Sequence, residues 1–126
     1  MALVFDGIKE KTLVLIKPDG IQRGLVGEVM KRFEQKGLKV VGMKMMSLDE
    51  AVLREHYAHI ADKPFFPGVS EFMQSTPVVA MVWQGLEVVE AVRKITGITK
   101  AREAEAGSIR GDFARAFHVT LFMLLM

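Results

Sequence analysis

Thr12-Leu13-Val14-Leu15-Ile16-Lys17-Pro18-Asp19-Gly20 decides how the rest of the chain is read. Its first five residues are a continuous apolar, partly β-branched run, the pattern of a strand buried on both faces. Pro18 removes a ladder donor and Asp19-Gly20 is a turn signal, so the strand ends there. A core strand thus delivers Lys17 to the place where the chain turns away. A fixed ammonium at a strand end, beside flexible backbone, suits a phosphate. An ordinary surface lysine before a turn would leave the same trace, since polar strand ends are common.

Downstream, the spacing predicts a helix from Gly24 to Lys36. Leu25, Val26, Val29, Met30 and Phe33 share one face, Glu28 and Arg32 form an i,i+4 pair, and Gly37 is a stop. Leu38 to Met46 reads as a second strand with imperfect alternation. Ser47-Leu48-Asp49-Glu50 has a capping-box pattern, with Ser47 as the cap and Glu50 reaching back. The helix behind it carries Val52, Leu53, Tyr57 and Ile60 on one side, and Tyr57 reads as a core ring. Lys63-Pro64-Phe65-Phe66-Pro67-Gly68 breaks that helix. The two adjacent phenylalanines do not both fit one core face easily; either one lines a groove or both plug the space under a loop. Val69 to Ser75 forms a short helix. Pro77 to Trp83 is a third strand, apolar throughout and therefore central.

Leu86 to Thr96 reads as a helix stopped by Gly97, with Arg93 near its C-terminal end, where a basic residue also complements the dipole. Ile98 to Asp112 is a long connection of the kind that often carries function. It ends in Gly107-Ser108-Ile109-Arg110-Gly111-Asp112-Phe113, where an arginine beside a glycine can approach a ligand closely. Phe117 to Met126 reads as a fourth strand. The order strand, helix, strand, helices, strand, helix, strand predicts an α+β fold, a ferredoxin-like α/β sandwich with an antiparallel four-stranded sheet. A doubly wound parallel sheet is the competing arrangement.

The 126 residues make one domain, and a half-hydrophobic composition argues against disorder. With 17 basic and 15 acidic residues, the net charge of +2 is too balanced to argue for nucleic acid. The absence of cysteine excludes disulfides and thiolate metal sites and fits a reducing compartment. No signal-peptide pattern opens the sequence, and no stretch reaches the ~20 apolar residues of a membrane span. A cytoplasmic location without membrane contact is the expectation. Three cations, Lys17, Arg93 and Arg110, stand at element or loop ends. Converging, they would hold a polyanion such as a triphosphate, lysine as a point charge and arginine as a fork. Neither of the common glycine-rich nucleotide motifs is present.

Longer motifs carry a resemblance. They are Thr12 to Gly20, Gln22-Arg-Gly-Leu-Val-Gly-Glu28, Phe33-Glu-Gln-Lys-Gly37, His56-Tyr57, Lys63-Pro-Phe-Phe66, Pro77-Val-Val-Ala-Met-Val82 and Ile109-Arg-Gly-Asp-Phe113. From Lys11 to about Phe113 the chain resembles a nucleoside diphosphate kinase. That resemblance implies the ferredoxin-like fold, usually assembled as hexamers or tetramers. It also implies transfer of the γ-phosphoryl group of ATP to nucleoside diphosphates through a phosphohistidine. Carried onto matching positions, Lys17, Arg93, Thr99 and Arg110 would hold the nucleotide phosphates with Mg2+, which the phosphates rather than protein side chains would carry. Phe65 would stack on the base, Val69 would flank it, and Tyr57 would orient the nucleophile.

The family's histidine follows the Arg-Gly-Asp-Phe motif by about ten positions, after a Gly-Arg-Asn segment. Counted without a gap, that position is Met123, with Val119 and Thr120 where the family has arginine and asparagine. His118 is the nearest histidine, five residues beyond Phe113. The segment after about residue 113 therefore reads as truncated or altered. The expectation is a nucleotide-binding chain with impaired or absent transfer. A catalytically silent partner in mixed oligomers and a nucleic-acid-binding module are the alternatives.

Overall fold

The computed structural model describes residues 9–114 and 122–125. The first strand, β1 (Lys9–Ile16), carries apolar residues on both sides, and the two sides meet different partners. Val14 and Ile16 enter one core cluster, and Leu15 enters another. The alternation of the strand thus divides one apolar run between two layers. Pro18 ends the strand and opens α1 (Pro18–Gln22). Lys17 to Gly20, read above as a turn, is therefore the start of a short helix. Proline at the first helical position loses no hydrogen bond and presets φ, and the Ile21 N–H donates to the Lys17 carbonyl at 3.1 Å.

Helix α2 (Val26–Gln35) follows, with Val29 and Phe33 buried. It leads to β2 (Lys39–Met46), whose pairing shifts between Val40 and Gly42. That bulge is the physical source of the imperfect alternation. Helix α3 (Glu50–His56) is capped by Asp49, not Ser47. Asp49 Oδ1 accepts the Val52 N–H at 2.8 Å, and a carboxylate also complements the positive helix N-terminus. Helix α4 (Phe66–Gln74) begins three residues earlier than the sequence reading, because Pro67 lies in its first turn and starts the helix instead of blocking it.

Strand β3 (Val78–Leu86) runs on through Gly85, and α5 (Val88–Thr96) starts after it. A side chain at Gly85 would meet Leu38 Cδ2 at 2.9 Å, so this glycine serves close packing inside the strand. The long connection after α5 is partly ordered into a 3-10 turn at Ala101–Glu103 and α6 (Ile109–Phe113). The last element is β4 (Phe122–Leu125). It covers four residues of the expected Phe117–Met126 strand; 115–121 and 126 lie outside the described residues.

The sheet order is β2-β3-β1-β4, and every pair is antiparallel. That overturns the doubly wound parallel alternative and gives the α+β arrangement. The long β1–β3 and β2–β3 ladders form its body, and β4 extends the edge of β1 beside Leu13 to Ile16. On one face α2 and α5 bury Val29, Phe33, Val88 and Val92 against Val14, Ile16, Met81 and Trp83. Phe33 and Trp83 meet edge to face at 5.1 Å, which adds a specific aromatic contact to the burial. On the other face α3 and α4 place Leu53, Tyr57, Phe66 and Met73 against Leu15 and Val78. Ile16 and Leu15, the two residues before Lys17, thus lie under different helical layers.

Candidate functional site

Lys17 caps α1 where β1 leaves the sheet. Its half-buried amine is held down to about pKa 8. Burial is the main cause, and the Arg110 guanidinium adds to it, while the carboxylate of Asp19 opposes both. Arg110 comes from α6, far along the chain, and is 9 % exposed. It donates from Nη1 to the Gly97 carbonyl at 2.8 Å. Burial lowers its pKa as well. Two cations from distant segments therefore repel each other in a poorly hydrated place. Such an arrangement costs free energy in the absence of an anion and releases it when one binds.

Gly97 joins this pair to Arg93 and Thr99. It ends α5 at φ +88°, a conformation glycine accepts without strain, and its N–H donates to the Arg93 carbonyl at 2.9 Å. Arg93 is exposed in the last turn of α5, and Thr99 is exposed two residues beyond Gly97. The pair Phe65-Phe66 is split by the start of α4. Phe66 is fully buried, whereas Phe65 is 56 % exposed. Val69 packs against the Leu53–Phe66 cluster and is only half-buried. Helix α1 lies against α4, so the Lys17 turn and the phenylalanine pair belong to neighbouring elements.

Tyr57 is buried, and burial raises its phenol pKa. His56 meets its ring edge-on at 4.7 Å. The His56 pKa is lowered, first by burial and then by the charge of Lys17. His56 is thus a neighbour of the site that the sequence reading left without a role. Asp19, whose Asp-Gly pair signals only a turn along the sequence, is a second such neighbour. Both its carboxylate oxygens are shielded from solvent and make no hydrogen bond of good geometry among the described residues. Burial raises its pKa; its own and the Gly20 amide, Lys17 and Arg23 pull the other way. The candidate nucleophile His118 lies outside the described residues. The backbone of Met123 pairs with Leu15, two residues before Lys17. Among the described residues, no group of three or more His, Asp or Glu side chains could hold a metal ion.

The position of Lys17 sets a pH dependence. Below about pH 8 its amine is protonated and attracts an anion; above that it is neutral in the empty site. The affinity for inorganic triphosphate is expected to fall as pH rises from 7 to 9.5, beginning near 8. In Lys17→Arg the step should vanish, because guanidinium stays charged throughout. A flat profile in the unaltered chain, measured by calorimetry, would remove Lys17 from the anion site. For folding the sign is opposite. A lysine whose folded pKa lies below the usual 10.5 costs stability below pH 8, and that cost is relieved as pH rises from 8 to 10.5.

The sequence profile described as nucleoside diphosphate kinase matches residues 10–120, which extends beyond Phe113, where the sequence reading ended the resemblance. Over 104 residues the chain is 55 % identical to nucleoside diphosphate kinase A of Homo sapiens, covering 82 % of this chain and 68 % of that protein. Nucleoside diphosphate kinase B of Bos taurus is 54 % identical over the same shares. Among solved structures, a halophilic nucleoside diphosphate kinase from Halobacterium salinarum in complex with CDP superposes with a TM-score of 0.87 at 47 % identity. The match covers 92 % of this chain and 76 % of that one. A nucleoside diphosphate kinase family protein from Babesia bovis gives the same TM-score at 41 % identity.

Proposed function

The chain belongs to the nucleoside diphosphate kinase family, a phosphotransferase class, and we propose that it binds nucleoside triphosphates at Lys17 and Arg110 but transfers the terminal phosphoryl group poorly or not at all. One observation carries the binding half of this reading: Lys17 and Arg110 share a partly dehydrated site, where burial first and the charge of Arg110 second lower the lysine pKa. The triphosphate relieves the repulsion between the two cations. Lys17 supplies a compact charge, and the Arg110 fork adds directed hydrogen bonds. Arg93 and Thr99 extend the site along the segment around Gly97. The exposed ring of Phe65 stacks on the base with Val69 behind it, and stacking tolerates any base because each offers a π face. Tyr57 closes the inner end. Magnesium ion arrives as part of the substrate, bound to the phosphates, in keeping with a cationic site.

The transfer half rests on the acceptor. The family's reaction splits one transfer into two through a histidine, and the corresponding position here is Met123, whose thioether has no proton to exchange. His118 is the remaining nearby candidate. Assembly into a homo-oligomer fits the same reading. Strand β2 is a sheet edge on which Met43 and Met45 are 58 % and 62 % exposed, an apolar edge that association would cover. A cytoplasmic protein is the family-based expectation, and among the described residues no helix is long and apolar enough to cross a membrane.

Intact mass before and after incubation with MgATP tests the proposal. The expected result is an unchanged mass, together with a rise in melting temperature that reports binding. Addition of one phosphoryl group, mapped to His118, would restore the full kinase reading. No thermal shift at saturating MgATP would remove the binding site.

A further inference from the structure

Arg110 does its work from a five-residue helix, too short to hold its own orientation. What holds α6 is a clamp on α2. Arg32 places Nη1 at 2.8 Å from Asp112 Oδ2, and the same nitrogen donates to the Gly107 carbonyl at 3.1 Å. Its Nε donates to Glu28 Oε2 at 2.9 Å. The guanidinium lies 5.0 Å from the centre of the Phe113 ring. Asp112 Oδ1 in turn accepts the Gly107 N–H at 2.8 Å. One side chain therefore grips the segment 107–113 at both ends, and Arg110 sits between the grips.

We propose that Arg32 is a positioning residue: it sets the Arg110 guanidinium beside Lys17 and so raises phosphate affinity without touching the nucleotide. The inference rests on Lys17 and Arg110 being phosphate ligands. The chemistry favours arginine at this place, because a planar fork engages Glu28, Asp112 and Gly107 at once, whereas an ammonium on a single stem cannot match all three directions. The segment has a second attachment, from Arg23 Nη1 to the Phe113 carbonyl at 2.6 Å. Loss of Arg32 therefore loosens the aim of Arg110 and leaves the segment tethered.

The test is a double-mutant cycle on MgATP affinity with Arg32→Met, Arg110→Met and the pair. Arg32→Met should weaken binding about tenfold, and that factor should shrink toward one in the Arg110→Met background, the mark of coupled residues. Arg32→Lys should recover little of the loss. A purely structural role would lower the melting temperature while weakening binding by the same factor in both backgrounds, or not at all; either result overturns the inference and leaves the phosphate site standing. If Arg110→Met alone leaves MgATP affinity unchanged, both the inference and the site reading fail. Should Arg32→Met not fold, Asp112→Asn enters the same cycle, since it removes the charge pair and keeps an acceptor for the Gly107 N–H. Independence of Asp112→Asn from Arg110 would then overturn the proposal.

Discussion

Lys17→Met is expected to weaken MgATP binding by about 10- to 100-fold, the loss of a charge-assisted contact to phosphate in a partly dehydrated site. The same substitution should leave the empty chain as stable as before, or more stable. The reason is that Lys17 is costly in the absence of an anion. Burial and Arg110 hold its amine near pKa 8, so at pH 7 the fold retains a proton that its environment disfavours. Methionine keeps most of the apolar stem and removes that charge. Asp19 then loses the favourable charge of Lys17 and becomes easier to protonate, because burial already raises its pKa. Thermal melts with and without MgATP separate the two effects. The unaltered chain should show a clear ligand-induced shift, and the variant should show an equal or higher starting temperature with little shift. A variant that melts much lower while keeping its nucleotide shift would mean that Lys17 is a structural residue. Stability given up at a site so that an anion can bind there is a common trade.

Gly111→Ala is expected to destabilise the chain by about 1–3 kcal/mol, the usual range for forcing atoms into filled space, and to abolish most nucleotide affinity. The backbone conformation of Gly111 is helical and is open to alanine; the obstruction is steric. A Cβ there would overlap the Glu105 carbonyl oxygen and would come within 2.6 Å of its carbon and 2.9 Å of Ser108 Oγ. These atoms cannot simply rotate away. Ser108 Oγ caps α6 by accepting the Gly111 N–H at 3.1 Å and donates to the Glu105 carbonyl at 2.6 Å. Moving either atom opens the turn that presents Arg110. Urea unfolding and MgATP calorimetry on the same preparation check both halves. Wild-type stability together with wild-type affinity would show that the 105–111 turn relaxes freely and does not aim Arg110.

Much of the architecture was legible because it rests on local rules. The apolar run before Lys17, the helical stripe through Val29 and Phe33, and the apolar strand ending near Trp83 each declare themselves by period and length. Proline, a stop signal along the sequence, serves as a helix start in this fold. Pro18 and Pro67 open helices, and Gly85 lies inside a strand because Leu38 leaves no room for a side chain. Asp49 displaced Ser47 as the cap because it sits one residue before the first helical residue, Glu50, with its carboxylate turned to the Val52 N–H. No periodicity reports that choice.

The candidate site divides in the same way. The sequence by itself determined which cations stand at element ends, the α+β order of elements and the family motifs around Lys17 and Arg110, because these are properties of neighbouring residues. Only the tertiary structure decided that Lys17 and Arg110 share one dehydrated place, that Phe65 rather than Phe66 stays exposed, and that Arg32 holds the segment 107–113 through Gly107 and Asp112. Those outcomes depend on sheet order and on helix packing across segments far apart in the chain. Charge repulsion, burial and a fork with three acceptors act through space, so they exist only once the layers have closed.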